Sequence, residues 1–257
     1  MLKTQKKYWI PGRPATFATN SELEWKNTIK EYIGSENNQY NSLEFEFRIT
    51  PDNMSKYAFD IDNLCEPVFA VLTSKLGWYE KKRKNIVSWK AIKKENENPG
   101  LLLKDVASTE FERCGEKPIF VGIYQGEFPK KATDHRIPEW LASFDKLACV
   151  NERCSMRLEF GPTNLSIATI ATGTVKPIID CMYPVIGGNS GAPDDHKITE
   201  LLVEKSVEDL LKNQVRITIW EIKLINQLKK VKIKQSLKDE DSNENGYQLI
   251  TLFNHIN

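Results

Sequence analysis

Apolar and polar residues alternate along several short segments of the chain, and this period of two is typical of half-buried β-strands. The clearest examples are residues 43–49 (LEFEFRI) and 156–160 (MRLEF). Each follows a segment with the spacing of an amphipathic helix, at residues 24–33 and 139–148. A longer apolar run at residues 68–76 (VFAVLTSKL) predicts a further helix. Strands and helices therefore alternate, which indicates a mixed α/β fold.

The elements recur in the same order in the two halves of the chain. Residues 10–25 and 124–140 both carry a strand end, a Gly/Pro turn, an Ala-Thr pair and a polar residue that can cap a helix. After the alternating strand, each half has an aspartate-bearing segment that leads to Pro-Val, FDIDNLCEPVF in the first and PIIDCMYPVIG in the second. A glycine-containing loop and a strand follow from Gly77 and from Gly191. This shared order predicts a tandem duplication.

The expected domain organisation follows from the repeat. Residues 7–99 form copy one, residues 100–117 a linker and residues 118–223 copy two. Residues 224–257 form an extension that is basic at first and then acidic. The predicted fold is α/β (α+β), with two tandem mixed-sheet units packed as a pseudo-twofold dimer within one chain.

The composition is that of a globular protein, since 40% of the 257 residues are hydrophobic and 28% are charged. There is no run of about 18 apolar residues, so we expect no membrane contact and a cytoplasmic location. Five cysteines, an odd number without a Cys-x-x-Cys pair, argue against a disulfide framework and against a zinc site. The net charge of +1 means that any binding of nucleic acid depends on local basic segments.

Two aspartates one residue apart are the strongest candidates for chemistry. Asp60 and Asp62 lie in the segment YAFDIDNL, directly before the predicted helix, and Asn63 follows them. Carboxylates of this kind can hold Mg²⁺. The alternative is structural, because a carboxylate or amide at a helix start accepts hydrogen bonds from main-chain N–H groups, and Asn63 suits that role. The motif alone does not decide between the two.

The order of elements in copy one resembles the RusA-type Holliday junction resolvases: strand, Pro-Gly-x-Pro turn, helix, strand, FDIDNL, helix, Gly-aromatic turn and closing strand. The resemblance covers most of copy one and, more weakly, the end of copy two. It implies a dimeric α/β endonuclease that uses Mg²⁺ to cut four-way DNA junctions symmetrically. It also implies that an Asp-x-Asp and an Asp-Asp pair at the last strand hold the metal at the scissile phosphate. A duplicated chain would be such a dimer fused into one polypeptide.

Copy one has only part of the residue set that the resemblance implies. It keeps Asp60 and Asp62, but Glu66 stands where the family has a lysine. The Asp-Asp pair is also missing, and Glu80 is the carboxylate near its position. A site within copy one, with Glu80 as the third ligand, would give a weakened nuclease or one that nicks a single strand.

Copy two shows the opposite pattern. Asp194 and Asp195 lie at the start of its last strand, whereas Asp180 is the single aspartate in place of the Asp-x-Asp. If the site is shared between the copies, Asp194 and Asp195 complete the pair from copy one. The candidate catalytic residues are Asp60, Asp62, Asp194 and Asp195. The candidate metal ligands are Asp60, Asp62, Glu80, Asp180, Asp194 and Asp195.

Basic segments next to aromatic or aliphatic positions are the candidates for contact with DNA phosphates, and an exposed tryptophan beside them could stack on bases. The alternative for each segment is a solvated surface. The candidate DNA-binding residues are Trp78, Lys81, Lys82, Arg83, Lys84, Lys90, Lys93 and Lys197.

Two functions are therefore expected from the sequence. The first is a structure-specific protein that binds branched or duplex DNA and cuts it with Mg²⁺. The alternative is a catalytically inactive RusA-like module that binds DNA or protein, such as an accessory of a mobile element or of a defence system.

Overall fold

The computed structural model describes residues 6–16, 19–34, 40–54, 56, 59–75, 77–79, 86–109 and 117–222. The described residues up to Glu221 belong to one compact unit. The expected C-terminal extension at residues 224–257 lies outside the described residues. The predicted mixed α/β fold is confirmed, because the chain forms an eight-stranded mixed sheet with helices.

The bounds of the elements are as follows. The strands are β1 (Lys6–Pro11), β2 (Ser42–Ile49), β3 (Ser88–Glu95), β4 (Gly100–Val106), β5 (Phe120–Gln125), β6 (Arg153–Phe160), β7 (Gly188–Asn189), β8 (Ala192–Pro193), β9 (Ile198–Lys205) and β10 (Gln214–Ile222). The helices are α1 (Glu22–Ile33), α2 (Ile61–Leu72), α3 (Arg136–Leu141), α4 (Ile167–Ile170), α5 (Lys176–Cys181) and α6 (Tyr183–Ile186). A π-helical segment (Ala171–Val175) joins α4 to α5, and a 3₁₀ turn (Asp195–Lys197) precedes β9.

The strand order in the large sheet is β1-β4-β2-β3-β9-β6-β10-β5. Strands of the first half of the chain fill one side of the sheet, and strands of the second half fill the other. In the first half β4 is antiparallel to both β1 and β2, and β2 is parallel to β3. In the second half β6 is parallel to β9 and β10 is antiparallel to β5. When the four large-sheet strands of each half are numbered separately along the chain, their order from the outer edge to the centre of the sheet is 1-4-2-3 in both halves.

The two halves meet at the centre of this sheet. Strands β3 and β9 run antiparallel there, and Ala91 lies opposite Leu201. The β7–β8 hairpin forms a separate two-stranded sheet. The large sheet is therefore continuous across the boundary between the halves.

The prediction that residues 100–117 form a linker is wrong for residues 100–106, which form β4. This strand lies between β1 and β2 and pairs with both. Leu101 and Leu103 are fully buried in the core, so the strand is held by packing as well as by its hydrogen bonds.

The helices and one face of the sheet enclose a single hydrophobic core. Alternation along β2 puts Leu43, Phe45 and Phe47 into this core, with Glu44 and Glu46 on the opposite face. Helix α2 packs on the same side, since it contacts β3 and β9 at the centre of the sheet. No helix among the described residues is long and apolar enough to cross a membrane.

The same alternation puts a charged residue on the core side of the central strand. In β3, Trp89 and Ala91 are core residues, and Lys93 continues their row. Lys93 is 3% exposed. A lysine is almost never buried in this way without partners, so its surroundings indicate a specialised site.

Candidate functional site

Asp60 occupies the position directly before helix α2, but it does not cap the helix through its side chain. The backbone at Asp60 is extended and its carbonyl accepts the N–H of Leu64 at 3.0 Å, as expected at a helix start. Neither carboxylate oxygen has a hydrogen-bond partner among the described residues, and the residue is 0% exposed. Asn63 lies in the third position of the helix and so is not its capping residue. The capping explanation of the motif is wrong for both residues.

Asp62 turns toward the second half of the chain. Its Oδ2 atom lies 3.3 Å from Nζ of Lys176, at the start of α5. The same Nζ lies 3.5 Å from Oδ1 of Asp180, one helical turn further along α5. The Oδ1 atom of Asp62 is buried and has no hydrogen-bond partner in the described part of the chain. Lys176 thus joins a carboxylate of the first half to a carboxylate of the second.

Asp195 comes from the 3₁₀ turn before β9 and is 1% exposed. No side chain among the described residues forms a hydrogen bond with either of its carboxylate oxygens. Burial raises the pKa of Asp195 to about 7, and the charges of Asp62 and Asp180 add to this effect while Lys176 opposes it. We call Asp60, Asp62, Asp180 and Asp195 the carboxylate cluster.

Burial and neighbouring charges also change the pKa values of Asp60 and Asp180. Burial raises the pKa of Asp60 to about 9, helped by the negative charges of Asp195 and Asp62. Burial also raises the pKa of Asp180 to about 6, against the opposing charge of Lys176. Because these carboxylates act on one another's pKa values, residues between 118 and 135 positions apart in the sequence form one electrostatic site.

Lys93 provides the second positive charge at this site and is held by main-chain atoms from both halves. Its Nζ donates to the carbonyl oxygens of Met54 at 3.0 Å, Phe59 at 3.3 Å and His196 at 3.0 Å. Burial lowers the pKa of Lys93 to about 8, although the charges of Asp60, Asp195 and Asp62 work in the other direction. All three ammonium protons are therefore engaged within the protein.

Full ionisation would give the carboxylate cluster more negative charge than the two lysines balance, and the raised pKa values of Asp60 and Asp195 mean that bound protons reduce this excess when no metal is present. If every group is ionised, four carboxylates face two ammonium groups, which leaves a formal charge of −2. Buried carboxylate oxygens without partners cost several kcal/mol in a region that water does not solvate. A divalent cation would supply both the missing charge and the missing partners.

The oxygen donors of the cluster fit the chemistry of Mg²⁺, which prefers carboxylate and water ligands. Among the residues that the structure describes, no group of three or more His, Cys, Asp or Glu side chains is arranged as a formed metal site. The carboxylate cluster is therefore a set of candidate ligands whose side chains have to converge around an ion.

Asp194 was expected to act together with Asp195, but it has a different partner. Its Oδ2 atom lies 2.9 Å from Nζ of Lys197. That Nζ also donates to the carbonyl oxygens of Val150 and Ile186, at 3.1 and 3.2 Å. Lys197 therefore links loops within the protein and is partly exposed, and its role in binding DNA stays a prediction.

Three predictions of DNA contact are wrong because the side chains are buried. Trp78 is 4% exposed and its ring packs against Tyr8, with 5.2 Å between the ring centroids. Lys90 is 5% exposed and its Nζ lies 3.4 Å from Oε1 of Glu200. Lys93 is buried as described above. A side chain enclosed in this way cannot reach a phosphate or a base.

The remaining predicted residues lie outside the described part of the chain. They are Glu80, Lys81, Lys82, Arg83 and Lys84. Whether Glu80 is a metal ligand, and whether the basic run binds DNA, stays a prediction.

Sequence reasoning missed Lys176 as a site residue and assigned Lys93 to the surface. A signal for Lys176 was present, since Lys176 and Asp180 have the spacing of neighbours on one helix face. For Lys93 the signal was its place in the row of Trp89 and Ala91, although a run of lysines obscured it. Comparison of the chain with family models, with curated proteins and with solved structures gave no match.

Proposed function

We propose that this protein is a divalent-metal-dependent endonuclease for branched DNA, built as a tandem duplication of a RusA-like fold. The observation that carries the proposal is the carboxylate cluster, in which Asp60 and Asp62 from the first half meet Asp180 and Asp195 from the second. Among the described residues, the buried side-chain oxygens without hydrogen-bond partners lie in the motif FDIDNL and in the Asp-Asp segment before β9, the two places that the resemblance implies.

The strand order supports the duplication. The order 1-4-2-3 from either edge, with β3 and β9 antiparallel at the centre, is what a twofold axis through the β3–β9 pair would produce. In such an arrangement each site lies at the boundary between the halves. That location would allow Asp195 and Asp180 of the second half to share a site with Asp60 and Asp62 of the first.

The residues of this chain have distinct roles in the proposed reaction. Asp60, Asp62 and Asp195 would hold a Mg²⁺ ion, which supplies charge neutralisation at the scissile phosphate and activates a water molecule. Lys176, which is partly exposed, orients Asp62 and Asp180 through its two ion pairs. Lys93 is enclosed, and its positive charge would stabilise the folded protein against the repulsion between the carboxylates of the cluster.

Cations near the cluster could guide the DNA backbone to it. Arg13 is exposed and its guanidinium lies 5.1 Å from the centroid of Phe59, the residue before Asp60. Arg153, near Lys93, is about one-third exposed and has a long contact of 3.9 Å to Glu95. Within the described part of the chain neither arginine has an ion pair shorter than 3.9 Å, so both could attract a phosphate.

Cleavage of a synthetic four-way junction tests the proposal, with linear duplex of the same sequence as the reference. We expect cutting of the junction with Mg²⁺ or Mn²⁺ and none with EDTA. Asp62→Asn should lower the rate at least about a hundredfold and leave junction binding intact, because the change removes a ligand but no positive charge. The matched control is Asp52→Asn, an exposed carboxylate outside the cluster. Equal rates for Asp62→Asn and Asp52→Asn would refute the assignment.

A second candidate function is a RusA-like module that binds branched DNA or a protein without cutting. The observation that favours it is that the cluster is not arranged as a formed metal site in the described residues. Junction binding that does not depend on Mg²⁺, together with no cleavage at any metal concentration, would support this second function over the first.

A further inference from the structure

The two edges of the large sheet are built from different kinds of residue. Among the strands that the structure describes, β1 forms one edge and β5 the other. Strand β1 carries Lys6 and Lys7 and ends at Pro11. The guanidinium of Arg48 lies 4.7 Å from the centroid of the Trp9 ring, so a cation covers part of that side chain. Charged residues and proline are the means by which natural sheets prevent an edge strand from pairing with another molecule, and the β1 edge has both.

Strand β5 has no such protection. Its sequence from Phe120 to Gln125, FVGIYQ, contains no charged residue and no proline. Val121 is 51% exposed and Ile123 is 45% exposed. Both side chains lie on the face opposite the core, because Phe120 and Tyr124, which alternate with them, are core residues. An uncharged edge with exposed β-branched side chains is suited to pairing with another strand.

The hydrogen bonds of β5 show which of its main-chain groups point away from the sheet. The N–H of Gly126, directly after the strand, donates to the carbonyl oxygen of Asn213 at 3.2 Å and continues the register of β5 with β10. Hydrogen-bonded positions alternate along an antiparallel ladder, so the even-numbered residues of β5 are the ones that bond to β10. The N–H and C=O groups of Val121 and Ile123 therefore point outward, to the side where no described strand lies.

This edge is complementary to a second copy of itself. In an antiparallel pair of β5 strands centred on Gly122, Val121 of each copy lies opposite Ile123 of the other. The outward N–H and C=O groups of these two residues then form hydrogen bonds between the copies. Their β-branched side chains meet on the face opposite the core, where cross-strand packing of such residues stabilises a sheet.

The same register brings opposite charges together at both ends of the pairing. Lys117 lies five residues before Gly122 and Glu127 lies five residues after it, and both are exposed. Lys117 of each copy is therefore close to Glu127 of the other. Within its own chain Glu127 lies 2.7 Å from Lys130 and 3.3 Å from Arg136, but such surface pairs contribute little to stability. The complementary charges favour a second copy of this chain over an unrelated strand as the partner.

We propose that β5 pairs with β5 of a second copy of the chain, so that two eight-stranded sheets join into one through an isologous antiparallel contact. The proposal goes beyond the nuclease function and does not depend on it, because no residue of the carboxylate cluster takes part. Two short edge strands form a small contact compared with the roughly 1,000 Å² that a stable interface buries. The dimer is therefore reversible and forms at micromolar or higher concentrations of the chain.

Sedimentation of the full chain over a concentration range of about 1 to 500 μM tests the proposal. We expect the average mass to rise with concentration from that of one chain toward that of two. A chain that stays monomeric over the whole range would overturn the proposal, and the edge would then be open only to a partner of another kind. Larger assemblies without a dimer would also overturn it, since an isologous contact closes at two copies.

A pair of lysine substitutions tests the location of the contact. Ile123→Lys should weaken the association at least about tenfold, because it puts a charge on the edge opposite Val121 of the second copy. The matched control is Leu23→Lys on α1, where the wild-type side chain is 69% exposed, and it should leave the association within about twofold. Unfolding midpoints check that both variants fold. Equal association of the two variants would overturn the proposal.

Charge reversal tests the register. Lys117→Glu and Glu127→Lys each place like charges across the twofold axis, so each variant alone should associate less than the wild type at low salt. An equimolar mixture of the two variants restores both pairs of opposite charges and should associate at least as strongly as the wild type. A mixture that associates no better than either variant alone would overturn the pairing centred on Gly122.

Discussion

Replacing Asp195 by asparagine should stabilise the folded protein when no divalent metal is present. The pKa of Asp195 is raised from 3.8 to about 7 by burial and by the charges of Asp62 and Asp180. An acid whose pKa is raised on folding binds its proton more strongly in the folded state than in the unfolded state. Stability is therefore lost as the pH rises from about 4 to about 7, and the loss is complete above that range.

The size of the effect follows from the pKa values. At about 1.4 kcal/mol per pKa unit, a rise from 3.8 to about 7 costs the folded protein about 4 kcal/mol near pH 8. Asparagine removes the charge but adds two N–H donors to a buried site, which costs about 1–2 kcal/mol. We expect Asp195→Asn to raise the free energy of unfolding by about 2–3 kcal/mol near pH 8. Near pH 4 the wild-type carboxyl is already neutral, so mainly the cost of the amide remains, and the variant should be less stable than the wild type by about 1 kcal/mol.

Urea denaturation near pH 8 and near pH 4, with EDTA in the buffer, measures both differences. Asp52→Asn is the matched control and should change stability by less than about 0.5 kcal/mol at either pH. Saturating Mg²⁺ should then stabilise the wild type more than the variant, because the variant has lost a ligand. If Asp195→Asn destabilises the protein near pH 8, or changes its stability equally at the two pH values, the electrostatic description of the cluster is wrong.

Two further substitutions test the lysines of the site. Lys93→Met should lower the free energy of unfolding by about 3 kcal/mol, because three carbonyl oxygens and the carboxylate cluster lose their buried partner. The matched control is Lys94→Met, which removes an exposed lysine and should cost at most about 1 kcal/mol. Urea denaturation measures both changes. Equal effects of the two would show that Lys93 does not compensate the cluster. Lys176→Gln should enlarge the rise in thermal unfolding midpoint that Mg²⁺ produces, since Asp62 and Asp180 lose a shared cation. An unchanged Mg²⁺ response in that variant would place Lys176 outside the site.

Much of the fold was predictable because it depends on local periodicity. The alternation in residues 43–49 and 156–160 located β2 and β6, and the helical spacing around Trp25 located α1. Strand β4 was missed because its Leu-Leu-Leu run does not alternate and lies between a Pro-Gly and a Cys-Gly that suggested a linker. A strand buried on both faces lacks the period-2 signal, so only its pairing with β1 and β2 reveals it.

The site was predictable in part. Asp60 and Asp62 could be identified because FDIDNL sits before a helix in a distinctive order of elements, and the joining of Asp195 to them was one of the alternatives that the sequence left open. Lys90 and Lys93 were placed on the surface because basic residues near other basic residues are usually exposed, and Trp78 was placed there because it lies beside the basic run at residues 81–84, but all three side chains are buried. Side-chain burial depends on which strand lies next to each residue, and sequence spacing does not contain that information.

The sequence by itself determined the alternation of strands and helices, the recurrence of that order in two halves, and the Asp-x-Asp-Asn at the start of α2. These features are local, since each follows from periodicity and from the conformational preferences of a few neighbouring residues. Only the tertiary structure decided which carboxylates act on one another, because Asp62 and Asp180 share Lys176 across the boundary where β3 of the first half pairs with β9 of the second. It also decided the use of the lysines, since the register that places Ala91 opposite Leu201 turns Lys93 into the core.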